Sequence, residues 1–221
     1  MTIPVSDIFD RVTDLLLDKE READKCRWSD DELIRWINDS RMAILTRRPQ
    51  ALAKIATVEL VGGTKQGLPA DGVQLLDIIR NMGMTGETPG RSIRRTDRQN
   101  IDDMDLYWHK GAQSAEISQF TYDDRTPKTY FVQPPAKAGT HIDISYAAIP
   151  APVSAAGDEL DIGLENMDAV VNYVCYRAKS KDSEYANAAE AAAFYGAFGD
   201  AIGVTTQAQA GTSPNQPGNS V

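Results

Sequence analysis

The sequence predicts an α+β fold: a bundle of about four helices interrupted by a β-rich insertion and followed by a flexible C-terminal tail. Three observations carry this. Apolar residues recur at helical spacing near both ends of the chain, in 3–17, 28–48, 166–179 and 184–202. Between about residues 55 and 150 the apolar period falls to two, with turn residues between the runs. After Gly203 the chain reads V-T-T-Q-A-Q-A-G-T-S-P-N-Q-P-G-N-S-V, with no apolar period and too little apolar surface to fold alone. The expected bounds are 1–54 and 158–203 for the bundle, 55–157 for the insertion and 204–221 for the tail. Helices this distant in sequence must pack together, which makes the β-rich part an excursion from one helical core.

The first helix spans 3–17, with Val5, Ile8, Phe9, Val12, Leu15 and Leu16 on one face. Pro4 is tolerated in its first turn. D-K-E-R-E-A-D-K then reads as a solvated helix end or loop. The second helix has its ends written in detail. Ser29 is an N-cap with Glu32 three residues on, a capping box, and Trp28 and Leu33 occupy the positions of a hydrophobic staple. Asp30 and Asp31 oppose the positive helix start, Arg47 and Arg48 the negative end, and Pro49 stops it. Leu33, Ile37, Ile44 and Leu45 form its buried face, widened by Ile34 and Trp36.

K-I-A-T-V-E-L-V is the first strand, followed by a hairpin-like turn over G-G-T-K and Q-G-L-P. V-Q-L-L-D-I-I-R-N-M is a second strand and R-S-I-R-R-T a shorter third. D-R-Q-N-I-D-D-M-D-L-Y-W reads as a short helix and loop. E-I-S-Q-F-T-Y is a fourth strand and D-D-R-T-P a turn. T-Y-F-V-Q is a fifth strand, ended by Pro134 and Pro135, and T-H-I-D-I-S-Y alternates strictly as a sixth. Helix returns with Met167, Val170, Val171, Val174 and Cys175 at helical spacing. After the break K-D-S-E an alanine-rich final helix carries Phe194, Tyr195, Phe198 and Ile202 as apolar anchors.

Composition narrows the function. Net charge is −9, from 32 acidic and 23 basic residues among 221, which disfavours general nucleic-acid binding because phosphate affinity comes from cations displacing counterions. No apolar run approaches the roughly 20 residues of a membrane span, and the first 17 residues lack a signal-peptide pattern. Cys26 and Cys175 show no metal-like spacing and read as reduced thiols. No G-x-S-x-G, P-loop or H-E-x-x-H occurs, and G-G-T-K-Q-G lies between strands instead of before a helix. No enzyme activity and no cofactor are expected.

The strongest charge feature is R-S-I-R-R-T-D-R, with Arg91, Arg94, Arg95 and Arg98 in eight residues. It reads as a nucleic-acid contact, as a partner for carboxylates of a neighbouring copy, or as a solvated edge strand that resists aggregation. Asp102, Asp103 and Asp105 with His109 form a candidate metal cluster without a recognised ligand spacing, the basis of a metal-dependent hydrolase reading. The alternative function is a helix-turn-helix-type nucleic-acid-binding regulator that uses residues 28–48. Its acidic first turn opposes this, since that end is usually offered to the groove.

W-S-D-D-E-L-I-R-W-I-N-D with R-R-P-Q resembles the second helix of tailed-bacteriophage adaptor proteins, also called head-to-tail connectors. The likeness continues through G-R-S-I-R-R-T-D-R-Q-N-I-D with Y-W, P-K-T-Y-F-V-Q-P-P-A, H-I-D-I-S-Y-A-A-I-P and N-Y-V-C-Y-R-A-K-S-K-D-S-E-Y, over about residues 5–200. The resemblance implies a structural virion protein: a ring, usually of twelve copies, joining the capsid portal to the tail nozzle or tail-tube protein and forming part of the DNA channel. It places the protein in the virion neck, and in the host cytoplasm during assembly, with no membrane involved. It implies portal binding by the C-terminal helix end and tail, here Phe198, Ile202, Val204, Gln207, Pro214, Pro217 and Val221. Arg91, Arg94, Arg95, Arg98 and Trp108 become the expected subunit or nozzle interface. Double-stranded DNA passing such a ring during genome ejection must not stick to it, so the lumen is expected to be acidic.

Overall fold

The structure is a computed structural model; it describes residues 2–20, 26–181 and 184–210, the last seven as backbone only. The chain divides into two units, Met1–Ala51 with Pro150–Val221, and Leu52–Ile149.

In the first unit, α1 (Val5–Leu16), α2 (Asp30–Arg47), α4 (Met167–Ser180) and α5 (Ala188–Ala210) pack with α4 at the centre, in contact with each of the other three. α1 buries Val5, Ile8, Phe9, Val12, Thr13 and Leu16. Leu15, expected on this face, is instead 54% exposed. Ile3–Pro4 is not helical: it is strand β1, paired antiparallel with β9 (Glu159–Leu160). α2 begins as its caps require. Glu32 N–H donates to Ser29 Oγ at 3.4 Å, Ser29 N–H donates to Glu32 Oε2 at 3.3 Å, and Trp28 and Leu33 are both buried. The buried Asp18 carboxylate accepts the backbone N–H groups of Arg27 and Trp28, tying the end of α1 to the start of α2. Asn38 of α2 exchanges two bonds of 3.0 Å with the backbone of Val153. α5 starts later than expected because Asn187 Oδ1 accepts the N–H groups of Ala189 and Glu190, an N-cap. It also ends later, running to Ala210 past the expected boundary at residue 203.

The second unit holds two sheets. The three-stranded sheet has the order β2 (Ala53–Glu59), β8 (His141–Ala148), β4 (Gly72–Gly83), all antiparallel. The four-stranded sheet has the order β3 (Gly63–Gly67), β7 (Thr129–Ala136), β6 (Gln119–Tyr122), β5 (Arg94–Arg95). Their shared core includes Leu75, Ile78, Ile93, Ile117, Phe120, Tyr130, Val132, Ile142, Ile144 and Tyr146. Two expectations fail here. G-G-T-K-Q-G is not a hairpin turn: Gly63–Gly67 is a strand on β7, and the turn before it is held by Gln66, whose amide bonds the backbone of Val61 and Gly63. Pro134 and Pro135 do not end β7. The strand continues through them to Ala136, with a cis bond at Gln133–Pro134, because proline keeps its acceptor: Pro135 O takes the Ser114 N–H at 2.8 Å.

Residues 91–96 close the two sheets on each other. Asn81 and Ile93 N–H groups pair with the carbonyls of Arg91 and Ile79, joining this segment to β4. Arg94 and Thr96 N–H groups then donate to Ser118 and Phe120 carbonyls beside β6. A short helix, α3 (Arg98–Met104), comes next.

Candidate functional site

Arg91, Arg94, Arg95 and Arg98 are all exposed, while Ile93 between them is buried and pins the strand. The Arg95 guanidinium lies 5.8 Å over the Tyr122 ring, and Arg98 Nε pairs with Asp102 Oδ2 at 3.2 Å. Three of the four guanidinium groups thus project from one edge strand and the loop before it, and the fourth starts α3.

Trp108 requires a correction. The resemblance puts it at an interface, but it is buried: its Nε1 donates to Asp102 Oδ1 at 2.8 Å and its ring stacks on His109, 3.7 Å between centroids. His109 bonds Thr64 Oγ1 through Nδ1 at 2.8 Å and meets Phe131 edge-on. Trp108 therefore anchors the loop, and the side chains presented are others. Met104, Leu106 and Tyr107 are 77%, 79% and 72% exposed. Sequence reasoning missed them. The signal was there: I-D-D-M-D-L-Y-W carries more large apolar residues than one face of a short helix can bury, and Ile101 and Trp108 already fill the inward positions.

The Asp/His cluster is engaged internally. Asp102 holds Arg98 and Trp108, Asp105 Oδ1 accepts the Tyr107 N–H at 2.8 Å, and His109 points to Thr64. Among the described residues no three His, Cys, Asp or Glu side chains converge on a point that could hold a metal.

The C-terminal candidates divide. Phe198 and Ile202 are buried within the helical unit. Phe198 packs edge-on against Tyr173, and the Arg47 guanidinium sits 4.9 Å over its ring while bonding the Tyr195 hydroxyl. Val204 and Gln207 fall on the last turns of α5; Pro214, Pro217 and Val221 lie outside the described residues. Cys175 is enclosed in the bundle, and burial pushes its thiol up to about 12, which makes it chemically quiet. In α2, the exposed Asp30 and Asp31 make the first turn acidic while the apolar face is consumed in the bundle, an arrangement unsuited to groove reading.

Charge is unevenly shared. Leu52–Ile149 carries 11 basic and 12 acidic residues, net −1, whereas the remaining residues carry 12 and 20, net −8. Two of the cations in the helical unit, Arg41 and Arg48, are buried, which leaves its surface more acidic still. No helix among the described residues is long and apolar enough to cross a membrane.

The profile of the SU10 adaptor protein family matches residues 3–218, across both units. The chain belongs to the SU10 adaptor protein family. This is a family of phage head–tail adaptors, and membership assigns the chain a structural role as a phage adaptor. No curated protein matches the sequence. Among the surfaces this SU10 adaptor presents are the exposed arginines and the Met104–Tyr107 loop.

Proposed function

We propose that this SU10 adaptor assembles as a ring of identical copies, twelve in number, seated between the capsid portal and the tail nozzle or tail-tube protein. The family match over residues 3–218 carries this reading. The ring acts by assembly, without catalysis, metal or cofactor. Neighbouring copies bury the arginine edge formed by Arg91, Arg94, Arg95 and Arg98, where guanidinium forks meet carboxylates. The portal is engaged by the C-terminal segment through Val204, Gln207, Pro214, Pro217 and Val221. The protein works in the virion neck after assembly in the host cytoplasm, and genomic DNA passes through during ejection.

An acidic lumen supports that passage. A surface without phosphate-neutralising cations releases no counterions and does not hold the duplex. The −8 charge of the helical unit supplies such a wall. A ring whose channel is lined by arginine and lysine overturns this part of the reading.

The test is reconstitution. Purified full chain is mixed with purified candidate portal rings and imaged. The expected product is a portal carrying a second ring in axial register. Failure to bind any cognate portal overturns the adaptor ring. A chain ending at Ala210 keeps all of α5 and lacks only residues 211–221. Equal docking by that chain removes the C-terminal segment from the portal contact.

A further inference from the structure

We infer that the Met104–Tyr107 loop is a docking finger, inserted with its arginine collar against the acidic α1–α4 face of a second copy of this chain. The inference rests on the proposed ring and specifies the contact that would build it.

Single exposed apolar side chains are ordinary on protein surfaces. Three large ones within four residues, each more than 70% exposed, are not. The loop that carries them is rigid. Ile101 and Trp108 are buried on either side, Asp105 N–H donates to Ile101 O at 3.0 Å, and Trp108 N–H donates to Asp105 O at 3.2 Å. Little freedom is left to lose on docking, so a preorganised apolar tip binds with a reduced entropic cost. The collar is cationic. α3 has seven residues, which sets Arg98 about 9 Å along the helix axis from Met104. Arg94 and Arg95 lie just upstream on the exposed edge of β5.

The complementary surface is an apolar floor rimmed by carboxylates, and the same chain carries one. A shallow pocket between α1 and α4 is lined by Leu15 and Val171 together with Asp14 and Asp168. Asp7 and Asp10 continue the acidic face along α1, on a unit of net charge −8. Arg11 also lines the pocket and Lys19 pairs with Asp14 at 2.8 Å, so these two cations offset Asp14 and Asp168, and the acidic excess of the face comes from Asp7 and Asp10. Charge complementarity selects a second copy as the occupant. A nucleic acid would use the collar and leave the apolar tip without a partner.

The two patches are different surfaces, so the contact is heterologous. Each copy then offers one finger and one acceptor, and association propagates until a ring closes or a filament grows. This contrasts with a two-fold dimer, in which one patch meets itself.

Two full-length variants test it. The finger variant carries Leu106→Asp and Tyr107→Asp; the acceptor variant carries Leu15→Arg and Asp168→Arg. All four residues are exposed, and circular dichroism melts verify that both variants fold. In sedimentation equilibrium the wild-type chain is expected to self-associate, more weakly as salt is raised. Each variant alone is expected to associate at least about tenfold more weakly. Mixed, they are expected to form a 1:1 dimer and stop, because only one good finger and one good acceptor remain. A milder pair, Arg94→Gln with Arg95→Gln, is expected to lower the salt dependence. Wild-type chain that stays monomeric to about 1 mM overturns the inference. So does undiminished association by either variant, or a mixture that does not pair. If both variants still build a complete ring on a portal, the docking surface is wrong while the adaptor reading stands. If neither they nor the wild type bind a portal, the adaptor reading fails separately.

Discussion

Asn81 and Ile117 are joined as two paired strand residues would be, although one partner is a side chain. Asn81 Oδ1 accepts the Ile117 N–H at 2.8 Å, and Asn81 Nδ2 donates to Ile117 O at 2.8 Å. The same amide also donates to Arg91 O at 2.9 Å. Asn81 lies in β4, at the junction where segment 91–96 closes the two sheets, and it is buried. Asn81→Ala leaves the N–H and the carbonyl of Ile117 inside the unit without partners, while Arg91 O keeps the backbone N–H of residue 81. It is expected to cost about 3 kcal/mol in urea unfolding. Asn81→Asp is expected to cost more, because it sets a carboxylate oxygen against two carbonyl oxygens. An alanine variant within about 0.5 kcal/mol of wild type would show that water replaces the amide there.

Leu17 ends α1 in a left-handed conformation, φ 55°, where glycine is usual. Asp18 N–H donates to Thr13 O and Leu17 N–H to Asp14 O, the two bonds of a Schellman motif. The side chain is 75% exposed, so packing does not offset the steric cost of this backbone. Leu17→Gly is expected to raise stability by about 0.5–1 kcal/mol, after allowing for the entropy glycine adds to the unfolded chain. Leu17→Ala, which keeps the Cβ clash, is expected to be near neutral. Equal effects of the two substitutions in thermal unfolding contradict this account.

What could be foreseen from the sequence was local. The start of α2 was legible to the residue because Trp28, Ser29, Glu32 and Leu33 signal to one another within six positions. The strands β4, β6 and β8 were legible from their apolar runs. What escaped depended on distant partners. β1 exists because Glu159–Leu160 lies beside Ile3–Pro4, and β3 because β7 does; neither pairing leaves a mark in the short segment itself. The site split the same way. The arginine edge was visible as a charge run, but which side of 101–108 faces inward was decided by Thr64, Phe131 and the Asp102–Trp108 bond. Trp108 therefore faces inward while Met104, Leu106 and Tyr107 face solvent. Arg48 reads in the sequence as a partner of the helix dipole, yet its side chain is buried and donates to Asn166 Oδ1 at 3.3 Å.

Glu32 links the start of α2 to the end of α4. Its carboxylate accepts Lys181 Nζ and the Ser29 N–H. The Lys181 bond, and then the cap, hold its carboxyl below the ordinary 4.5. A depressed folded-state value means that the added stability is present above the ordinary value and lost as pH falls through the folded one. Lys181 is 42% exposed, so solvent screens the pair. Glu32→Gln is expected to cost about 0.5–1 kcal/mol at neutral pH, falling toward zero as pH is lowered from 4.5. A cost that does not change with pH would assign the effect to cap geometry alone.

Arg41 is the sharpest test of what stabilises the helical unit. It is 1% exposed in the middle of α2, its Nη2 donates to Asn38 Oδ1, and its Nε has no partner among the described residues. Burial pushes the guanidinium below its ordinary value, against the opposing charge of Asp161. A buried cation with incomplete hydrogen bonding is a poor source of stability, and an apolar replacement of similar volume often does as well. Asn38 would keep its other partner, since its Oδ1 also accepts the Val153 N–H. Arg41→Met is therefore expected to lie within about 1 kcal/mol of wild type, or above it. Arg41→Ala is expected to lose about 3 kcal/mol, because it opens a cavity between packed helices. The comparison separates volume from charge. If both variants lose the same amount in urea unfolding, the guanidinium stabilises the unit by its charge, and the field of Asp161 outweighs the desolvation of Arg41.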